Sequence, residues 1–164
     1  RADLEGVLFA RGTEHVDHHV HVSHRAEKGT STQRFRGIAD EHGTVVFDGI
    51  VNVHAGAPGC EVAQESKNLL LSRDAAVHAK PHLEIEVDEV VASHGTTVGS
   101  FDRDQLFYLR ARGIDEPIAR AMLTHAFVRT ILDEIPVEPI RQRLTSALLS
   151  RLPNGGLPEE EVGG

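Results

Sequence analysis

Thr44-Val45-Val46-Phe47, the polar break Ala55-Gly56-Ala57-Pro58-Gly59, and then Asn68-Leu69-Leu70-Leu71 form the stretch on which the fold of this chain turns. Each apolar run is too short for a helix and is bounded by turn-forming residues, the pattern of a buried strand. The same pattern extends in both directions. Upstream, His18-His19-Val20-His21-Val22 alternates before the break Glu27-Lys28-Gly29-Thr30-Ser31, and downstream Glu89-Val90-Val91-Ala92 repeats the theme. With Val20, Val45, Leu69 and Val90 as markers, the runs recur about every 21 to 25 residues, an interval typical of stacked repeats. Two further series, Val51, Ala76 and Thr97, then Phe35, Glu61 and Glu84, keep nearly the same interval.

Three short strands per repeat predict a three-sided parallel solenoid. One rung cannot close its own core, whereas stacked rungs bury a continuous column of Val, Ile, Leu and Ala. An antiparallel sandwich also yields short strands, at intervals of about 8 to 12 residues, and the longer recurrence here favours the solenoid. After Gly99 the period changes. Asp102 can cap a helix running through Arg112, with Gly113 as its stop, and Asp115 can cap a second with Glu116 and Pro117 in its first turn. Ala119, Leu123, Phe127, Ile131 and Ile135 recur every four residues as one apolar stripe. Beyond Pro136 and Pro139, Ile140, Leu144, Ala147 and Leu148 mark a third helix that Pro153 ends. The expected organisation is therefore solenoid rungs over residues 1–99, a small helical domain over 100–152 and a flexible tail over 153–164.

Composition narrows the function. The chain has 164 residues, is 40% hydrophobic and 26% charged, and carries a net charge of -8. That is ordinary globular composition, and its acidic balance argues against nucleic-acid binding, which needs clustered positive charge. No run approaches the length of a membrane-spanning helix. A single cysteine, Cys60, excludes an intrachain disulfide framework or a zinc site of several thiolates, and it fits a reducing, cytoplasmic setting. A start at Arg1 instead of Met is expected of a piece of a longer polypeptide. No Gly-x-x-x-x-Gly-Lys-Ser/Thr, Gly-x-Ser-x-Gly, His-Glu-x-x-His or Cys-x-x-Cys occurs, so a self-contained catalytic site of a common type is not expected.

Four features remain. Among the histidines between His15 and His24, His19 and His21 share one strand face, while His18 and His24 share the other with Val20 and Val22. Two imidazoles alone make a weak metal site, and solvent-facing strand polars are the plainer reading. Cys60 follows a Gly/Pro turn and reads as a small packed residue unless a His or cation lies on an adjacent rung. His94 lies in Ser93-His94-Gly95-Thr96-Thr97-Val98-Gly99, where neighbouring glycines leave the imidazole less hindered; by composition alone it reads as a structural hydrogen-bonded histidine. Asp40, Glu41 and Asp48, or Glu84, Glu86 and Asp88, are the only acidic groups that a polysaccharide-active β-helix enzyme could use. The second set alternates with Leu83, Ile85 and Val87, as a solvated strand face does.

Four blocks, Asn68-Leu69-Leu70-Leu71-Ser72, Lys80-Pro81-His82-Leu83-Glu84-Ile85, Ser93 through Gly99, and Leu106-Phe107-Tyr108-Leu109-Arg110-Ala111-Arg112-Gly113-Ile114, together resemble the SufB/SufD family of the SUF iron–sulfur cluster assembly machinery. The resemblance runs from about His18 to Leu152, matches the C-terminal part of a full-length member, and is closer to the SufD type. SufB members carry Glu where Gly95 stands and a scaffold cysteine near Ser66 and Lys67, and many SufD members have Cys where Ala92 stands.

The resemblance implies a right-handed parallel β-helix followed by a helical domain in a non-catalytic scaffold subunit. It also implies pairing with a SufB-like subunit through an edge strand bearing Val90, Ala92, His94 and Thr96. A SufC-like ABC ATPase would dock on a helical face that includes Leu106, Tyr108, Arg112 and Phe127. His94 matches the family histidine implicated at the interface, as a ligand to a transient iron–sulfur cluster that the chain would not hold stably alone. The alternatives are the polysaccharide-active enzyme and a freestanding homodimeric binding module that uses the same edge.

Overall fold

In the computed structural model, which describes residues 1–152, seven strands precede three helices. The expected tail, 153–164, lies outside the described residues. The strands are β1 (Ala2–Ala10), β2 (His15–His24), β3 (Thr30–Ala39), β4 (Thr44–Val53), β5 (Cys60–Leu70), β6 (Ala76–Ile85) and β7 (Val90–Gly99). Odd strands form a four-stranded sheet in the order β1-β3-β5-β7, and even strands a three-stranded sheet, β2-β4-β6. Every pairing is parallel. The chain therefore winds between two sheets as a parallel solenoid, as expected, and the sandwich alternative falls.

The coil itself differs from the expected three short sides. It carries two strands of about ten residues, and Ala2 pairs with Ser31, Thr30 with Glu61 and Cys60 with Val90, a return of roughly 30 residues. The expected markers accordingly do not stack on one another: Val20 lies in register with Gly49 and Pro81, and Val45 with Val16 and Val77. The physical reason is polar residues inside the solenoid. Ser31, Gln33, Gln64, Ser66 and Asn68 are buried in the middles of β3 and β5, where they interrupt the apolar pattern without ending the strand.

β4 shows the period of two cleanly. Val45, Phe47, Gly49, Val51 and Val53 point in, and the residues between them are half-exposed. Phe47 packs tilted against Phe35 with ring centroids 4.5 Å apart, and the His18 ring lies 5.5 Å from Phe35 and 6.5 Å from Phe47. Further along, Val51, Val53, Ala57, Cys60 and Val62 form one core cluster, with Leu83, Val87 and Val90 packed on it. Gly49 is required by close approach: a Cβ there would come 2.3 Å from the Gln64 Nε2 and 2.8 Å from the Phe47 ring.

His24 occupies the inward position expected of it, buried and hydrogen-bonded through Nε2 to Ser31 Oγ at 2.7 Å. Its other nitrogen lies beside Gly29, where a Cβ would meet His24 Nδ1 at 2.7 Å and Cys60 Sγ at 3.4 Å. Burial pushes the His24 imidazole below its ordinary titration range, because the low-dielectric interior disfavours its cation; the N-terminal ammonium adds to this. The unfolded chain thus binds a proton that the native chain resists. His24's contribution is intact above an unfolded pKa of about 6.5 and is lost as pH falls below it. Melting temperature is expected to drop between pH 7.5 and 5 by more in the wild type than in a His24→Gln variant. Equal pH slopes would show that this imidazole does not carry the effect.

The chain divides into two compact units, Arg1–Ser100 and Phe101–Gly164. In the second, α1 (Arg103–Ala111) starts at Asp102, whose carboxylate accepts the Asp104 backbone N–H at 2.9 Å, and stops before Gly113 at φ +86°. α2 (Glu116–Leu132) follows Asp115, which occupies the cap position without a side-chain bond, and α3 (Glu138–Leu149) has Pro139 in its first turn. The buried face of α2 is Ala119, Ala121, Thr124, Val128, Ile131 and Leu132, with the expected Leu123 and Phe127 only half-buried. A strict spacing of four advances about 40° per step around a helix of 3.6 residues per turn, so such a stripe drifts off the inner face. On α3 only Leu148 is buried, while Ile140 and Leu144, two of the residues that mark the helix in sequence, are exposed.

Candidate functional site

β7 is a free edge of the four-stranded sheet. Of the four residues predicted for it, Val90 is half-buried and Ala92, His94 and Thr96 are exposed. They alternate along one strand and therefore share one face. The register sets that face on the inner column of the preceding coil: Ala92 over Val62, His94 over Gln64 and Thr96 over Ser66. Asn68 ties the coil down, with its Nδ2 donating to the Thr97 carbonyl at 3.0 Å and to Ser66 Oγ at 3.1 Å.

The His94 ring is accessible, and a Cβ built on the neighbouring Gly95 would meet nothing within 4 Å. The open flank inferred from Gly95 is therefore present. On the outward face of the strand beneath, Glu65 lies in register with Gly95. Burial raises the pKa of its carboxyl, but hydrogen bonds from Lys67 and Arg36, at 2.8 Å each, outweigh that and hold it below the ordinary carboxylate range.

The column under His94 is one that the sequence reading missed. Gln33 and Gln64 lie in register on β3 and β5, at 0% and 3% exposure, and Gln64 Nε2 donates to Gln33 Oε1 at 3.1 Å and to the Gly49 carbonyl at 2.8 Å. Gln33 Nε2 and Gln64 Oε1 remain buried without a partner. The signal available in sequence was the recurrence of Gln at about the coil interval.

Other predicted residues fall elsewhere. His19 and His21 do share the outer face, where His19 Nε2 meets Asp17 at 2.9 Å and His21 is hydrogen-bonded to Asn52. Among the described residues no group of three or more His, Cys, Asp or Glu is arranged to hold a metal. Cys60 is fully buried and donates to the Ala26 carbonyl at 3.5 Å. The acidic candidates do not gather into one cluster: Glu41 pairs with Arg11 at 3.0 Å, with Asp40 at 3.8 Å from the same guanidinium, while Asp48 faces His19 at 3.9 Å. Glu84, Glu86 and Asp88 are exposed, as the alternation implied.

In the helical unit the Arg112 guanidinium lies over the Tyr108 ring, 4.2 Å from its centroid, and both side chains are exposed. Leu106 is half-buried on α1, and Phe127 is half-buried on α2. Phe107, Val137, Ile140 and Leu144 are exposed apolar residues that the sequence reading did not assign to a surface. Between α2 and α3 a cleft of about 530 Å³ is lined by His125, Arg129, Asp133, Glu138 and Arg141 among others. Burial lowers the His125 pKa, helped by Arg129 and opposed by Asp133. No helix among the described residues is long and apolar enough to cross a membrane.

Residues 1–127 match the family described as SUF system FeS cluster assembly, SufBD core domain, a match that begins ahead of His18. The chain is 36% identical over 151 residues to an iron–sulfur cluster assembly SufBD family protein of Synechocystis, covering 92% of this chain and 33% of that protein. It is 35% identical over 142 residues to the iron–sulfur cluster assembly protein SufD of Escherichia coli, covering 87% and 34%. The SufD protein of Bacillus subtilis is 30% identical over 146 residues, covering 89% and 33%. The chain thus spans about a third of the length of the curated relatives it matches.

Proposed function

This chain belongs to the SufB/SufD family, and from that premise we propose that it is a SufD-type, non-catalytic scaffold subunit of cytoplasmic iron–sulfur cluster assembly. It pairs through β7 with a SufB-like subunit and docks a SufC-like ABC ATPase on its helical unit. The observation that carries this reading is an accessible imidazole, His94, on β7, the strand that ends the four-stranded sheet. An exposed parallel edge offers a row of backbone donors and acceptors to another strand.

The two downstream edges are unequal. β6 carries Pro81 and Lys80, residues that discourage strand addition, whereas β7 has no proline. Ligand arithmetic points the same way. A [2Fe–2S] or [4Fe–4S] cluster takes four ligands, mostly thiolates, and the one cysteine here is fully buried. A nascent cluster at β7 therefore draws its remaining donors from the partner, and a neutral imidazole at His94 supplies one. The cluster is cargo, held transiently at the interface. On the helical side, Leu106, Tyr108, Arg112 and Phe127 are the residues assigned to ATPase contact, with the Arg112 guanidinium lying over the Tyr108 ring.

Co-purification tests the assignment. Tagged chain coexpressed with SufB-like and SufC-like subunits is expected to elute as one complex containing all three. Elution of this chain alone, or only as its own dimer, overturns it, the second outcome favouring the homodimeric module.

A further inference from the structure

Resting on the assignment of His94 to the interface, we propose that Gln64 is a positioning residue for that imidazole. Its buried carboxamide oxygen accepts the ring N–H and so selects the tautomer whose other nitrogen is left bare for the incoming metal. Both hydrogens of the Gln64 carboxamide are already committed, one to Gln33 Oε1 and one to the Gly49 carbonyl. That commitment fixes which end of the amide is nitrogen and which is oxygen, an ambiguity that the bonding network has to resolve.

A planar amide carries its nitrogen and oxygen on opposite edges. With the nitrogen committed to Gln33 on β3 and Gly49 on β4, we infer that the oxygen is the end left for a donor from β7. It is buried without a partner, a state that costs free energy unless a donor arrives. The residue in register on β7 is His94. Its ring makes no hydrogen bond among the described residues, and the open flank at Gly95 gives it room to turn. Successive Gln side chains on stacked strands bond in ladders of this kind, each nitrogen feeding the oxygen of the coil before it. In this chain the third rung of the ladder is an imidazole.

The direction of the bond has a chemical consequence. An amide oxygen only accepts, so the imidazole nitrogen facing it must carry the proton, and a neutral ring has one proton to place. The second nitrogen then keeps its lone pair and faces away from the core. Histidines that bind metals are commonly oriented in this way by an acceptor on the far nitrogen.

The readout is the ring tautomer in the metal-free full chain, measured from the two His94 ¹⁵N chemical shifts. One dominant tautomer is expected in the wild type, with a shift toward a mixture in Gln64→Leu. Unchanged His94 shifts in a folded Gln64→Leu chain overturn the proposal. Because a buried substitution can unfold the coil, the reciprocal variant His94→Phe, at an exposed position, serves as a second test. It is expected to move the Gln64 carboxamide ¹³Cδ resonance, and an unmoved resonance counts against the contact. Neither readout depends on complex formation, so failure here is distinguishable from failure of the scaffold assignment.

Discussion

Phe47→Ala is expected to destabilise the solenoid by about 3–5 kcal/mol, the range found when a fully buried phenylalanine is truncated to alanine. Phe47 is 0% exposed and sits at the centre of a ring cluster, 4.5 Å from Phe35 and 6.5 Å from His18. Its neighbours cannot collapse into the space, because the register of β4 against β2 and β6 holds the backbones apart. For the unit Arg1–Ser100, a loss of that size corresponds to a fall of more than about 10 °C in melting temperature. Val46→Ala, one residue away but half-exposed on the opposite face, is the control and is expected to cost well under half as much. Urea unfolding of both variants checks the ranking. Equal losses would mean that the alternation of β4 does not define the core.

His94→Ala is expected to leave the subunit complex intact and to lower cluster formation in reconstitution by about 10- to 100-fold. Even supporting groups around a metal commonly cost that much when removed, and a direct donor should cost no less. Exposure is the reason the fold survives, since the side chain fills no cavity. Absorbance of the reconstituted complex and its iron content measure the effect. A normal cluster yield with His94→Ala removes the imidazole from the cluster's ligands while leaving the edge pairing open to its own test. A complex that fails to form instead assigns His94 to strand pairing.

Much of this arrangement was legible in the linear chain. Period-two alternation around His18–His24 is a local property, so it sorted His18 and His24 inward from His19 and His21 outward, and the short run Thr44–Phe47 marked a strand that extends to Val53. Helix starts at Asp102 and Asp115 and the stop at Gly113 depend on backbone groups within one turn, and these too could be read directly. Glycine beside His94 foretold an open flank for the same reason.

What escaped the sequence depends on neighbours about 30 residues away. Gln33, Gln64, Ser66 and Asn68 give no local sign of burial, because polar side chains usually face water. They are buried because each coil offers the next a hydrogen-bonding partner that no local window contains. With that burial unread, three short strands were expected per coil, whereas each coil carries two of about ten residues. Tertiary stacking also decided that Gln64 lies beneath His94, that β7 is an edge, and that the α2 stripe rotates away from a strict spacing of four. Amino-acid order alone determined strands, helix ends and the family; the register between coils determined which polar groups meet, because a parallel solenoid brings together residues a full turn apart.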